Sequence, residues 1–157
     1  MTTKKLKYQE LLSQFPNCPS DNYVEIQMNA FRWVHSDEQP NDFKPINLIN
    51  EPPQRLLDDA DLMCMGYGLS LFDSLENAYS QYKRAYVRTR ENAKSIFVND
   101  KGSFIATLQL NYADGVGNEA HKNNHGHFTF YEYENVNLRE KVKAISNIFD
   151  PNGKFIN

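Results

Sequence analysis

The chain has 157 residues, of which 40% are hydrophobic, 13% aromatic and 24% charged, and its formal net charge is -3. This length and apolar content are enough for a sizeable core, so we expect one globular domain over residues 1–157 and exclude a disordered chain. The small acidic excess argues against a general nucleic-acid or membrane-surface binder, because both of those classes need a basic surface.

The two cysteines, Cys18 and Cys64, do not form a pair with metal-ligand spacing. We therefore expect no disulfide framework and a reducing, cytoplasmic location. The N-terminal residues lack the apolar core of a signal peptide, and no apolar run approaches the length of a transmembrane helix. No membrane association is expected.

The first third of the chain predicts a helix, a strand and a long loop. Apolar residues at helical spacing predict an N-terminal helix within residues 1–16, ending before Pro16. Alternating residues from Tyr23 predict a strand, with a bulge or corner near Asn29 where the alternation changes phase. Residues 36–59 contain four prolines and little periodicity, which predicts a long ordered loop of the kind that often carries function.

The stretch 64–82 predicts a strand that enters a helix. Two glycines precede an apolar strand over residues 69–72, and Asp73 is a candidate N-cap for a helix that ends between residues 88 and 92. Ser70 on this strand either faces a ligand or fills the core. The predicted apolar face of the helix comprises Leu75, Ala78, Tyr79, Tyr82 and Tyr86. The first four of these residues are expected to be mostly buried, with Trp33 packed nearby.

Residues 96–149 predict four further elements, two before a polar loop and two after it. Residues 96–98 and 104–110 are typical of a hairpin, and the Gly- and Asn-rich loop 111–126 is expected to be mobile, above all over 113–124. Residues 127–134 predict a strand, and the spacing from Leu138 to Phe149 predicts a last helix. The predicted fold class is α+β, with mostly antiparallel strands in a small split sheet and flanking helices.

Three histidines, His121, His125 and His127, lie within seven residues and could ligate a metal ion. No further ligand accompanies them, so we assign no metal site and interpret the segment as a polar loop leading into a strand. His127 and Thr129 also form one H-x-T motif, but the two-histidine phosphoesterase chemistry requires two copies and the chain has one.

A set of polar residues spread along the chain suggests a family. Arg32 lies on a strand, Ser70 lies on a strand that enters a helix, and Glu132 and Glu134 form a Glu-x-Glu pair on the last aromatic strand. This order resembles the ADP-ribosyltransferase-like superfamily. The segment Gly68-Leu-Ser-Leu-Phe, with Ala78 and Tyr82 in the following helix, is also similar to the strand-helix element of that fold.

The resemblance implies two small packed sheets with NAD in the cleft between them. It implies that Arg32 holds a phosphate or ribose of NAD, that Ser70 supports the catalytic site, and that Glu134 stabilises the positive charge that develops on the nicotinamide ribose, with Glu132 orienting the acceptor. His35 could fill the first position instead of Arg32, as in the histidine-type branch. The chain departs from the pattern because Leu71 and Phe72, and no second Ser or Thr, follow the serine.

Two functions are therefore compatible with the sequence. The first is a small cytosolic enzyme that cleaves NAD or transfers its ADP-ribosyl group. The alternative is a non-catalytic α+β domain that recognises a protein or small ligand through its aromatic strands and its Pro-rich loop. The two predict different placements of Arg32, Ser70 and Glu134, which face one cleft only in the enzyme.

Overall fold

The computed structural model describes residues 4–35, 39–119 and 125–156. Within these ranges seven strands form one antiparallel sheet in the order β1-β5-β6-β3-β2-β4-β7. The strands are β1 (Val24–Glu25), β2 (Met28–Val34), β3 (Leu69–Phe72), β4 (Phe104–Leu110), β5 (Gly115–Gly117), β6 (His127–Glu132) and β7 (Val142–Asn147). The α-helices are α1 (Gln9–Leu12), α2 (Ile46–Ile49), α3 (Gln54–Leu57), α4 (Ala60–Met65), α5 (Leu75–Arg88) and α6 (Lys94–Lys101). None of these helices has the length and apolar character needed to cross a membrane.

The sheet divides in the middle. Over the described residues β2 and β3 share the single register pair Phe31–Phe72, whereas β2 pairs with β4 along its whole length and β3 with β6 along its own. The sheet therefore consists of a first half-sheet, β1-β5-β6-β3, and a second half-sheet, β2-β4-β7. The predicted α+β class with antiparallel strands is confirmed.

Helix α5 packs on the sheet through Ala78 and Tyr82, which are fully buried as predicted. Trp33 stacks on Phe72 with ring centroids 5.4 Å apart, and its Nε1 donates to the Ala78 carbonyl at 2.8 Å. Leu75 is 42% exposed, so its predicted burial is wrong. It lies in the first turn of the helix, where it lines an open surface groove instead of facing the sheet.

The N-cap of α5 is Ser74, whose side chain accepts from the Asn77 amide at 3.0 Å. The predicted cap, Asp73, is one residue too early; its carboxylate accepts from the side-chain amide of Asn77 instead. The strand β3 and the end of α5 at Arg88 agree with the prediction.

Several other predicted elements are wrong. Residues 96–98 lie in α6 and not in a hairpin strand, and the predicted last helix is a 3-10 turn over Leu138–Lys141 followed by β7. The edge of β4 explains the second error, because its unpaired backbone groups bind β7 and this pairing overrides a weak helical spacing.

The loops also contain more structure than the sequence predicts. The predicted N-terminal helix over residues 1–16 is reduced to α1, while Leu6 forms a bridge with Tyr133. The predicted loop 36–59 contains α2 and α3, and the predicted mobile loop 113–124 contains β5. The break expected near Asn29 lies between β1 and β2, and residues 36–38 and 120–124 of these loops are outside the described ranges.

Cys18 and Cys64 form a disulfide, which overturns the expectation drawn from cysteine usage. The two residues are separated by 46 positions in sequence, yet their Cα atoms lie 5.8 Å apart. Spacing along the chain carried no sign of this contact, because the fold brings the N-terminal segment against α4. Because the two cysteines are paired, cysteine usage gives no reason to expect a reducing compartment.

Candidate functional site

A cleft of about 620 Å³ opens where the two half-sheets separate. Strands β2, β3 and β6 contribute to its floor, and the loop before α2, the residues around the end of α4 and the end of α6 contribute to its walls. The residues that line it include Arg32, Trp33, His35, Asp42, Lys44, Ile46, Ile49, Met65, Ser70, Phe72, Asn99, Asp100, Lys101, His127 and Thr129.

Three of the five predicted site residues line this cleft. Arg32, His35 and Ser70 come from β2, from the residue that follows it, and from β3. Glu132 and Glu134 do not line the cleft. The fold therefore assembles the first part of the predicted set and separates it from the Glu-x-Glu pair.

Arg32 holds the loop that forms one cleft wall. Its Nε donates to the Asp42 carbonyl at 2.5 Å, Nη1 to the Ser70 carbonyl at 2.9 Å and Nη2 to the Lys44 carbonyl at 3.4 Å. Burial lowers the pKa of Arg32 to about 10, with partial compensation by the carboxylates of Asp42 and Glu132, so the guanidinium is still charged at neutral pH. The forked donor set fits carbonyls on two segments at once, which makes Arg32 a clamp between β3 and the loop.

His35 joins three segments at the end of β2. Its backbone amide donates to the Asp42 carboxylate at 3.2 Å, its Nδ1 lies 2.6 Å from Asp42 Oδ1, and its Nε2 lies 2.7 Å from the Asn99 carbonyl oxygen. Both ring nitrogens face acceptors, so the imidazolium form can donate to both at once. His35 thereby ties the loop to the end of α6, and these two segments form adjacent parts of the cleft wall.

Ser70 and His127 meet on the cleft floor. β3 and β6 are antiparallel with Ser70 opposite Thr129, and His127 lies two residues along β6 on the same face. The Ser70 hydroxyl and His127 Nε2 are in hydrogen-bond contact. The Phe72 ring packs edge-on against the imidazole with centroids 5.5 Å apart, which restricts its orientation.

The turn before β6 places His127 at this position. Gly126 has a φ of 78°, which favours glycine, and its carbonyl accepts from the Asp73 amide at 2.9 Å. This bond ties the start of β6 to the end of β3. Burial lowers the pKa of His127, so its ring is neutral at physiological pH.

His127 was not among the residues predicted for the site. It belongs to the cluster of three histidines and to one H-x-T motif, and neither pattern connects it to Ser70. Only the register of β3 against β6 reveals the contact, and the aromatic alternation of the segment was the available signal for that strand.

Glu132 does not line the cleft, although its carboxylate acts electrostatically on the buried Arg32 guanidinium. It lies five residues beyond His127, or about 16 Å along the strand at the usual rise per residue, and its side chain points to the opposite face from Ser70 and Thr129. The Lys7 ammonium pairs with its carboxylate at 3.0 Å, and that side chain is 4% exposed. Burial raises the pKa of Glu132 although Lys7 and Arg32 oppose the shift.

Glu134 lies beyond the end of β6 and is exposed. Its backbone amide donates to the Lys5 carbonyl at 2.9 Å, which anchors the N-terminal segment at this edge. The predicted strand over residues 127–134 therefore ends at Glu132, and the tertiary structure places Glu134 outside the cleft.

The histidine segment does not form a metal site among the described residues. Within them no group of three His, Cys, Asp or Glu side chains is arranged to hold an ion. His125 accepts a bond from Arg84 Nη1 at 2.8 Å, while His127 contacts Ser70. His121 lies outside the described residues.

The lining combines apolar and cationic groups. Ile46, Ile49 and Met65 are between 37% and 48% exposed, and the exposed lysines Lys44 and Lys101 add positive charge. Such a cleft can hold a small molecule that carries both an apolar ring and an anionic group.

Comparisons with known proteins found no family model, no curated protein and no solved structure that matches this chain.

Proposed function

We propose that the chain binds NAD, or a closely related dinucleotide, in the cleft between its two half-sheets. Arg32, Ser70 and Glu134 do not face one cleft, which weighs against an enzyme that relies on Glu134, so cleavage of the bond between nicotinamide and ribose is proposed only through groups that line the cleft. The observation that carries the proposal is the convergence of Arg32, His35 and Ser70 on one cleft. Arg32 and Ser70 are the first two members of the residue order that resembles a NAD-dependent superfamily, and His35 is the alternative to Arg32 at its first position. The Glu-x-Glu pair that completes the order lies outside the cleft.

The size and chemistry of the cleft support this ligand class. A volume of about 620 Å³ is within the usual range for small-molecule sites. The two phosphates of NAD suit the charge of Lys44 and Lys101, and its flat rings suit the apolar lining of Ile46, Ile49 and Met65. Arg32 contributes a buried positive charge behind the floor and fixes the wall against which the ligand would lie.

The position of Glu134 gives weight to the second candidate function. An exposed carboxylate outside the cleft cannot stabilise charge on a ribose within it. Among the residues that the structure describes, the carboxylates that line the cleft are Asp42, which is engaged by His35, and Asp100. A non-catalytic domain that binds the same ligand class without cleaving it is therefore the alternative.

Calorimetric titration of the full chain with NAD tests the proposal. Wild-type protein should bind, and Lys44→Ala/Lys101→Ala should bind at least about tenfold more weakly, which corresponds to about 1.4 kcal/mol. Lys143→Ala is the matched control, because Lys143 is an exposed lysine on β7 and does not line the cleft. Equal weakening in the control, or no heat of binding with wild type, would contradict binding in this cleft.

Nicotinamide release measured on the same samples separates the two candidates. Release by wild type that is unchanged in Glu134→Gln supports an enzyme whose chemistry lies in the cleft. NAD binding without nicotinamide release, with any of the acceptors tested, supports the non-catalytic domain. A large loss of release in Glu134→Gln would show that the exposed carboxylate reaches the ligand after all.

A further inference from the structure

The contact between Ser70 and His127 has the form of a nucleophile with its base. An exposed serine hydroxyl meets the Nε2 of a half-buried imidazole inside the cleft. Serine is a weak nucleophile alone, and an adjacent general base is the usual means of activating it. The pair is built from two paired strands and not from a loop, so its geometry is fixed by the sheet.

The protonation state of His127 suits the role of a base. Desolvation lowers the pKa of the ring, which keeps it neutral and able to accept a proton at neutral pH. When Nε2 accepts from the Ser70 hydroxyl, Nδ1 carries the ring proton. Phe72 packs against the ring and limits its rotation away from the serine.

We propose that Ser70 is a catalytic nucleophile of the cleft and that His127 is its general base. This assignment rests on the proposed function for its substrate, but the contact from which it is inferred does not involve a ligand. It assigns the catalytic role to Ser70 and His127, which contact each other in the cleft, and no longer to Glu134.

The reaction with NAD would proceed in two balanced steps. Ser70 Oγ attacks C1′ of the nicotinamide ribose, the Oγ–C1′ bond forms, and the C1′–N bond breaks with its electron pair leaving on neutral nicotinamide. The serine proton passes to His127 Nε2. Water or an acceptor hydroxyl then attacks C1′, the C1′–Oγ bond breaks, Oγ takes back the proton from His127, and the attacking group releases its own proton to solvent.

Diisopropyl fluorophosphate tests the pair without NAD. Activated Ser70 attacks phosphorus, the Oγ–P bond forms, fluoride leaves, and the serine proton passes to His127. Peptide mass spectrometry of the labelled full chain should locate the adduct on Ser70, with Ser70→Ala unlabelled there. His127→Gln should slow the labelling by about a hundredfold or more, since that is the usual contribution of a general base.

Internal controls make the result decisive. Ser80 is an exposed serine on α5 outside the cleft and gives the background rate in the same sample. His127→Asn provides a second variant that removes the base, and the urea midpoint of each variant verifies that it is folded. Labelling of Ser70 no faster than Ser80, or at the wild-type rate in both folded His127 variants, would overturn the assignment.

Addition of NAD distinguishes this inference from the proposed function. Protection of Ser70 by saturating NAD supports both. Labelling that depends on His127 but is unaffected by NAD supports the pair and contradicts the placement of NAD. Calorimetric binding of NAD to a chain whose Ser70 is unreactive overturns the pair and leaves the binding proposal standing.

Discussion

Opening the Cys18–Cys64 disulfide should lower the free energy of unfolding by about 4 kcal/mol. The bond links residues separated by 46 positions, and it therefore restricts a large loop of the unfolded chain. In the chain-entropy account of disulfides, closing a loop of this length raises the free energy of unfolding by about 4 kcal/mol.

Urea unfolding of the oxidised and reduced wild-type protein measures this contribution directly. Reduction keeps both sulfur atoms in place, so it isolates the covalent link from packing in the cluster around Leu12 and Tyr131. With a slope of about 2 kcal/mol per molar urea, the expected loss moves the midpoint by about 2 M. The variant Cys18→Ser/Cys64→Ala should show a similar midpoint to the reduced protein and no response to reductant.

A midpoint that is the same with and without reductant would refute this account. It would mean that the N-terminal segment is held in place by its other contacts, such as the bridge between Leu6 and Tyr133, or that the bond is not formed in solution. A shift in the double variant that reductant does not reproduce in wild type would assign the effect to packing and not to the link.

Two further predictions concern buried polar contacts. Lys7→Met should cost about 3 kcal/mol at pH 7, because it leaves the Glu132 carboxylate buried without its partner. The pKa of Glu132 is raised in the folded state, so the folded chain protonates this carboxylate at a higher pH than the unfolded chain does. The stability difference between wild type and Lys7→Met should therefore shrink as pH falls through that raised pKa, as measured by urea unfolding from pH 7 to pH 4. A deficit that grows toward pH 4 would contradict it. Tyr82→Phe removes a buried bond of 2.6 Å to the Gly102 carbonyl and should lower the unfolding free energy by about 1 to 3 kcal/mol, and an unchanged midpoint would show that this carbonyl finds another donor.

The candidate site was partly predictable because local pattern determines some of its parts. Ser70 was assigned from the transition of a glycine-flanked strand into a helix, and both elements lie where the pattern placed them. Arg32 was assigned from its strand. The roles proposed for these residues stay predictions. The Arg32 guanidinium donates its hydrogen bonds to backbone carbonyls, so the structure shows it as a clamp between segments.

His127 and the glutamates show what strand identity alone cannot supply. The segment was correctly recognised as a strand, but the strand pattern does not show which of its residues line the cleft. The antiparallel register brings the first residue of β6 beside Ser70 and carries Glu132 to the far end on the other face. A change of register by one residue would exchange the two faces, and nothing within a single strand specifies its partner's register.

Local sequence patterns were enough to predict the fold class and the elements with strong local signals. The α+β composition, strand β3, helix α5 with its buried Ala78 and Tyr82, and the aromatic strand β6 all follow from periodicity, capping and β-propensity, which act over a few neighbouring residues. The tertiary structure alone decided that residues 142–147 pair as an edge strand and that Cys18 reaches Cys64. It alone decided that a cleft opens between the half-sheets with Ser70 and His127 on its floor. These features depend on contacts between segments distant in sequence, where packing and backbone pairing outweigh local preference.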